Sequence, residues 1–447
     1  MPLSLRSTVC RTLIWAALAC SATGLTGTRA AAEALLLIEA ESGKVLFAHN
    51  AGHPWYPASV TKLMTTYVTL RAVKEGRITL DTAVKVSSNA AAQSPVKMGF
   101  PPGTLVTIDN ALKMLMVRSS NDMAVLLAEG VAGSMENFAD QMNRTARRLG
   151  MTQSSFVNPN GLPADDQITS ARDLGILARA LIREFPEYDY YWHIPAIRMG
   201  KRVQRNYNSL IGRFPGADGM KTGFICASGF NLVASATRDG KRLIAVVLGA
   251  PSSAVRTVKA AQLLERGFNS DTGGLSWLMP SLGMVDSIEP INAAPPNLRD
   301  EMCGGHRKRK ASEDEDEVIK ADANSPYAVF LASLPKSKGA VTLSDDVSPG
   351  ETVVVYTGPA RKPGDPPPVA EEEPSKRKKG STRTASKPKD GAKRAAKDPK
   401  PGAAAAAVNM TPEGEAKPKP KPRKPAAHKP APKASSAAPA SQTSQAR

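Results

Sequence analysis

Apolar side chains recur at Val60, Leu63, Met64, Tyr67, Val68, Leu70 and Val73. That spacing suits a buried or amphipathic helix. Pro57 lies just upstream and Gly76 is a stop signal, so the helix should begin near Ala58 or Ser59. Two further apolar runs, Ala111 to Val117 and Met123 to Leu127, are helical segments separated by the polar break Ser119-Ser120-Asn121. Ser170-Ala171-Arg172-Asp173 reads as a capping box opening a helix through Arg183, and Arg256 to Phe268 reads as a closing helix. Strand patterns lie between them. Residues Ala34 to Ala48 predict a hairpin turning at Glu41-Ser42-Gly43. Asn231 to Ala236 and Arg242 to Leu248 flank Asp239-Gly240, a strong two-residue turn signal. Gly219 to Phe224 precedes that hairpin and is expected to be an edge strand.

The pattern divides the chain. Residues 33–270 can bury a full-sized core and form the expected main domain. Residues 271–325 are expected to be a partly disordered linker. Their charge reverses from His306-Arg307-Lys308-Arg309-Lys310 to Glu313-Asp314-Glu315-Asp316-Glu317. Short strand-like runs at Tyr327 to Leu331, Ala340 to Leu343 and Thr352 to Tyr356 make 326–357 a candidate small β module. Residues 358–447 are rich in Lys, Pro and Ala without apolar periodicity, and read as a disordered basic tail. Residues 361–447 hold 21 Lys+Arg against 8 Asp+Glu, a net +13 of the chain's +18. The basic charge therefore describes the tail. It reads either as electrostatic attachment to an anionic envelope or membrane, or as a solvated spacer.

At the other end, Arg6 and Arg11, the apolar stretch Leu13 to Leu25 and Ala30-Ala31-Ala32 mark residues 1–32 as a signal peptide. The protein is expected to be exported to the periplasm or cell envelope, with no internal transmembrane helix. Export argues against a nucleic-acid partner. Cys226 and Cys303 remain in an oxidising compartment, where they form a disulfide or stay as two thiols. Cys/His clusters of metal-ligand spacing and dinucleotide or P-loop fingerprints do not occur, so neither metal nor cofactor is expected.

Three short motifs carry the chemistry. Ser59-Val60-Thr61-Lys62 places a serine and a lysine three apart, on one helix face at its positive end. A serine hydroxyl needs a base, and a lysine serves only when its ammonium is made more acidic. Ser119-Ser120-Asn121 projects into a cleft, Ser119 to pass protons and Asn121 to bind a substrate amide; its plainer reading is a helix cap. Lys221-Thr222-Gly223 lies on an edge strand able to take an extended peptide as an added strand. Lys221 and Thr222 would hold a carboxylate, and the backbone N–H groups of Ser59 and Phe224 would form an oxyanion hole.

In this order the motifs resemble the signature of penicillin-binding proteins and class A β-lactamases. From about Ala34 to Phe268 the chain is similar to low-molecular-mass penicillin-binding proteins, serine-type D-alanyl-D-alanine carboxypeptidases of the peptidase S11 type. The likeness includes Tyr56-Pro57-Ala58-Ser59, Asn158-Pro159-Asn160-Gly161-Leu162, Asp218 to Gly223 and Gly229 to Ala236. The resemblance implies an α+β serine β-lactamase/transpeptidase-like fold, with an antiparallel sheet flanked by helices. It implies removal of the terminal D-alanine from peptidoglycan stem pentapeptides through an acyl-enzyme, and covalent inhibition by β-lactams. Ser59 becomes the nucleophile, Lys62 the proton acceptor and Ser119 the third catalytic residue. Asn121, Lys221, Thr222 and Arg205 become substrate-binding residues. A D,D-endopeptidase is the nearest alternative. A class A β-lactamase would need a deacylating Glu loop between Ser119 and Lys221, and a non-enzymatic wall-binding protein would not need the intact motifs.

Overall fold

The computed structural model describes residues 33–270, 282–305, 343, 350–361 and 365. Strands β1 (Ala34–Glu39) and β2 (Val45–His49) form the expected N-terminal hairpin. Helix α1 (Lys62–Lys74) follows a 3₁₀ turn over Ala58–Thr61. Next come β3 (Ala83–Lys85), α2 (Ser88–Ala92), β4 (Leu105–Thr107), α3 (Ile108–Arg118), α4 (Asn121–Ala132) and α5 (Met135–Leu149). Helix α6 (Ala171–Glu184) leads to β5 (Ala196–Met199) and β6 (Arg202–Arg205). The long strands β7 (Ala217–Ile225), β8 (Gly229–Arg238) and β9 (Lys241–Ala250) precede α7 (Ser253–Phe268). Short pieces α8 (Arg299–Cys303) and β10 (Val353–Val354) complete the described chain.

The central sheet has the order β2-β1-β9-β8-β7, antiparallel throughout. The turn of the β8–β9 hairpin falls on Asp239 and Gly240, both at positive φ, as an Asp-Gly hairpin requires. The sheet is buried on both faces. Gly175 of α6 lies against Leu36 and Ile38 of β1, whereas Gly267 of α7 lies against Leu37 and Leu243. Successive side chains of a strand point to opposite faces, so α6 and α7 cover opposite sides. This explains why Leu35-Leu36-Leu37-Ile38 is a continuous apolar run and not an alternating one. Both helices open on serine caps: Ser170 Oγ accepts from Asp173 N, and Ser252 Oγ from Val255 N. The capping box expected at 170–173 is only half formed. The Asp173 carboxylate turns instead to Arg172, Ser154 Oγ and the Gln153 N–H.

Of the expected linker 271–325, residues 282–305 are described. These pack on the domain: Val285 N donates to Gly43 O, Ile291 N to Gly52 O and Leu298 N to Ala227 O. Cys226 and Cys303 form a disulfide. Most of the candidate β module 326–357 lies outside the described residues, as do the signal-peptide segment 1–32 and nearly all of the basic tail. Within its described part, residues 343 and 350–357, Val353–Val354 pairs in parallel with β5. Among the described residues no helix is long and apolar enough to cross a membrane.

Candidate active site

The chain enters the site from the sheet. Trp55 Nε1 donates to Ser228 O, and the Asn231 amide of β8 donates to both Tyr56 O and Pro57 O at 3.0 Å. Asn231 Oδ1 in turn accepts from Gly249 N on β9. The 3₁₀ turn that carries Ser59 is therefore fastened to two strands before it begins. Ala58 sits at φ +50, a left-handed conformation uncommon for a residue with a side chain. Gly161 is packed so closely that an added Cβ would overlap the Ala58 carbonyl. Ser59 itself stays partly exposed.

Lys62 begins α1 and is fully buried. Its Nζ donates to Ser59 Oγ at 2.9 Å, Asn121 Oδ1 at 2.8 Å and the Asn160 carbonyl at 2.7 Å. The first two motifs thus meet at one nitrogen. Ser119 ends α3 in the left-handed region, at φ +58. Strain of this kind in a residue with a Cβ is held by its surroundings and concentrates at functional sites. The third motif arrives on β7, the outermost strand of the sheet among the described residues. Gly223 runs alongside the serine turn. A Cβ there would stand 2.8 Å from both the Ser59 and Val60 nitrogens, so only glycine allows the approach. Lys221 is buried, with Nζ donating to Thr222 O at 2.9 Å. Among the described residues, Ser119 Oγ and Thr222 Oγ1 are buried hydroxyls without a hydrogen-bond partner.

Two expected site residues sit differently from their anticipated use. Asn121 is occupied by protein groups: Oδ1 holds Lys62, and Nδ2 donates to Ser94 O at 3.3 Å. It begins α4 without acting as its cap, since Ser120 occupies that position. Arg205 ends β6 with an exposed side chain, and its carbonyl accepts from Arg118 Nη1. Phe224 follows Gly223, with its ring stacked on Phe230 at 4.3 Å.

Sequence reasoning missed the supporting contacts. Asn160 acts through a carbonyl, which no side-chain pattern announces, while its amide reaches Gln93 Oε1 at 2.9 Å. Thr65 Oγ1 holds the neighbouring Pro159 carbonyl. Asp122 accepts from the backbone N–H groups of Met98, Gly99 and Met123, fastening the 94–99 loop beside Asn121. Burial raises the Asp122 pKa; the backbone hydrogen bonds act in the opposite direction. The only available signal was the position of Asp122 next to the Ser-x-Asn motif. Among the described residues no group of three His, Cys, Asp or Glu is placed to hold a metal.

The fold and the converging Ser-Lys, Ser-Asn and Lys-Thr-Gly elements define a class, the serine penicillin-binding and transpeptidase-like proteins. The model of the D-alanyl-D-alanine carboxypeptidase family, peptidase S11, matches residues 21–252, more than half of the sequence, and the chain belongs to that family. It is 39% identical over 244 residues to D-alanyl-D-alanine carboxypeptidase DacC of Escherichia coli K12, covering 53% of this chain and 61% of that protein. It is 34% identical over 244 residues to DacF of Bacillus subtilis 168, covering 53% and 62%. The chain thus spans less than two thirds of the length of these curated relatives. The structure superposes on penicillin-binding protein 5 of Haemophilus influenzae with a TM-score of 0.51 at 35% identity, covering 55% of this chain and 73% of that one. Penicillin-binding protein 6B of Escherichia coli gives 0.51 at 36% identity, covering 53% and 77%.

Proposed function

We propose that the protein is a serine-type D-Ala-D-Ala carboxypeptidase of the cell wall. It would remove the terminal D-alanine from peptidoglycan stem pentapeptides, with β-lactams as covalent inhibitors. The observation that carries the proposal is the 2.9 Å contact between Lys62 Nζ and Ser59 Oγ in a pocket that also receives Asn121. As a free amine, Lys62 accepts the hydroxyl proton while Ser59 Oγ attacks the penultimate D-alanine carbonyl. The Ser59 and Phe224 N–H groups hold the oxyanion, each worth about 3 kcal/mol of transition-state stabilisation. Ser119 Oγ relays the proton to the departing amine as the C–N bond breaks. Water then hydrolyses the ester and regenerates Ser59. Lys221 and Thr222 bind the terminal carboxylate, and the peptide lies along the open edge of β7.

This reading takes Asn121 as a positioning residue for Lys62 as well as a neighbour of substrate. It carries with it export to the periplasm or envelope, directed by residues 1–32. The names of the relatives support both the substrate class and penicillin binding. The test is release of D-alanine from a defined pentapeptide, alongside labelling by a fluorescent penicillin. Ser59→Ala should abolish both. Lys62→Arg should lose acylation, because a guanidinium stays protonated and cannot act as base. Stoichiometric labelling of Ser59→Ala, or near-normal turnover of Lys62→Arg, would exclude the assigned role.

A further inference from the structure

The family match ends at residue 252, yet the described chain returns to the domain about a hundred residues later. Gly350 packs against Pro195, and β10 pairs with Ile197 and Arg198 of β5. Val355 is fully buried in the hydrophobic core, and its N–H donates to Arg198 O at 2.9 Å. Tyr356 N donates to Asn110 Oδ1 at 3.1 Å, and Gly358 N to Leu105 O at 2.7 Å. Arg361 closes the segment over the Tyr356 ring, 4.7 Å from its centroid. Residues 350–361 are therefore stitched to three elements: β5, β4 and the first turn of α3.

Those elements support one side of the proposed cleft. Helix α3 starts at the strap and ends at Arg118, immediately before the strained Ser119. Its far end is sewn to the exit of the β5–β6 hairpin. Arg118 Nη1 donates to Arg205 O, Arg118 Nη2 to Tyr207 OH at 2.7 Å, and Tyr207 N to Val117 O. The strap thus touches both the helix that carries Ser119 and the hairpin that braces that helix's end. Asn110 is completely buried, its Nδ2 donates to Thr107 Oγ1, and its Oδ1 receives the strap's N–H. Removing that donor would leave a buried amide oxygen unpaired, which is costly.

We propose that residues 350–361 form a positioning strap for Ser119, so that the catalytic unit extends to Arg361. The inference rests on the proposed carboxypeptidase reading, in which Ser119 passes the proton to the leaving amine. The strap touches no reacting atom; it acts through Asn110, α3 and the β5–β6 hairpin.

The test uses the full chain. Tyr356→Pro removes the N–H that reaches Asn110, Tyr356→Phe keeps it, and Val355→Asp places a charge in the core and expels the strap. Each is combined with Ser119→Ala. Acylation by penicillin and kcat and KM on a pentapeptide are measured, with thermal unfolding in parallel. Tyr356→Pro and Val355→Asp should slow acylation by about tenfold, less than the roughly hundredfold loss of a full ångström of misplacement because the strap acts at a distance. KM should change little, and Tyr356→Phe should match the parent. In the Ser119→Ala background the same strap variants should produce no further loss. An equal additional loss in both backgrounds would show a general effect on the fold and overturn the proposal. Unchanged acylation in Tyr356→Pro and Val355→Asp would overturn it too. If the parent releases no D-alanine, the functional reading fails, and the strap is judged on acylation alone.

Discussion

Gly223 has no side chain, and the position of Ser59 depends on that. The glycine lets β7 lie close against the Ser59 and Val60 nitrogens and the Pro57 carbonyl. In Gly223→Ala the new methyl must push against the Ser59 and Val60 nitrogens, displacing strand or turn. Acylation by penicillin should fall by up to about a hundredfold, the scale associated with an ångström of misplacement. The loss should exceed any change in the unfolding midpoint, and a variant acylated at the parent rate would show that the approach is not required. At this scale much of the site was legible. Ser59 and Lys62 share a helix-face spacing, Ser119 stands in a polar break between two apolar runs, and Lys221 and Thr222 lie on a strand next to a hairpin signal; the three motifs together mark the candidate site. Asn160 and Asn231 were not legible as parts of the site. One acts through a backbone carbonyl, and the other through hydrogen bonds to residues more than 170 positions away.

Helix α1 carries the serine turn and is held at its middle by Tyr67. The phenol donates to Glu184 Oε2 at the end of α6 and accepts from Arg148 of α5. Its ring packs edge-on against Phe185 at 5.0 Å. Burial raises the Tyr67 pKa above its ordinary value of 10.0, with the Glu184 carboxylate adding to the rise. The sign follows from linkage. The folded state holds the phenolic proton more tightly than the unfolded chain does. The resulting stability is complete below pH 10 and is lost as pH rises towards the raised folded value. Tyr67→Phe should lower stability at neutral pH by about 1–2 kcal/mol through the lost hydrogen bonds. It should also weaken the decline of the unfolding midpoint between pH 9 and 11. An unaltered alkaline slope in Tyr67→Phe would assign that slope to other groups, among which Tyr190 and Tyr191 also have raised pKa values. Helix and strand positions were readable from periodicity because each element buries a definite face. The half-formed capping box at 170–173 was not. A carboxylate chooses among donors by where the 153–154 loop lies, which local sequence does not specify.

For the whole molecule, charge and structure separate. Most of the basic excess, +13 of +18, lies in residues 361–447, of which Arg361 belongs to the strap. Truncation after Arg361 should leave turnover on a short peptide nearly unchanged. Sedimentation with isolated anionic envelopes should weaken at low salt. Exposed charges are screened over roughly 10 Å at 0.1 M ionic strength, so added salt should reproduce the effect of truncation. Equal envelope binding by both forms at low salt would leave the tail as a spacer. Lost turnover would mean that the catalytic unit extends past residue 361.

The sequence by itself determined the family, the order of the motifs, the edge-strand character of Gly219 to Phe224 and the turn at Asp239-Gly240. Each depends on residue type within a few positions of its neighbours. Only the tertiary structure decided that Lys62 meets Asn121 and the Asn160 carbonyl, and that Cys226 pairs with Cys303. It also decided that residues 350–361 return to brace the helix leading to Ser119. These are contacts between distant segments, made through shape and backbone groups. A two-residue strand such as Val353–Val354 has too little pattern of its own to announce them. Its position is set by the edge of β5, the buried site for Val355 and the Asn110 oxygen that accepts the Tyr356 N–H, all of which exist only once the rest of the chain has folded.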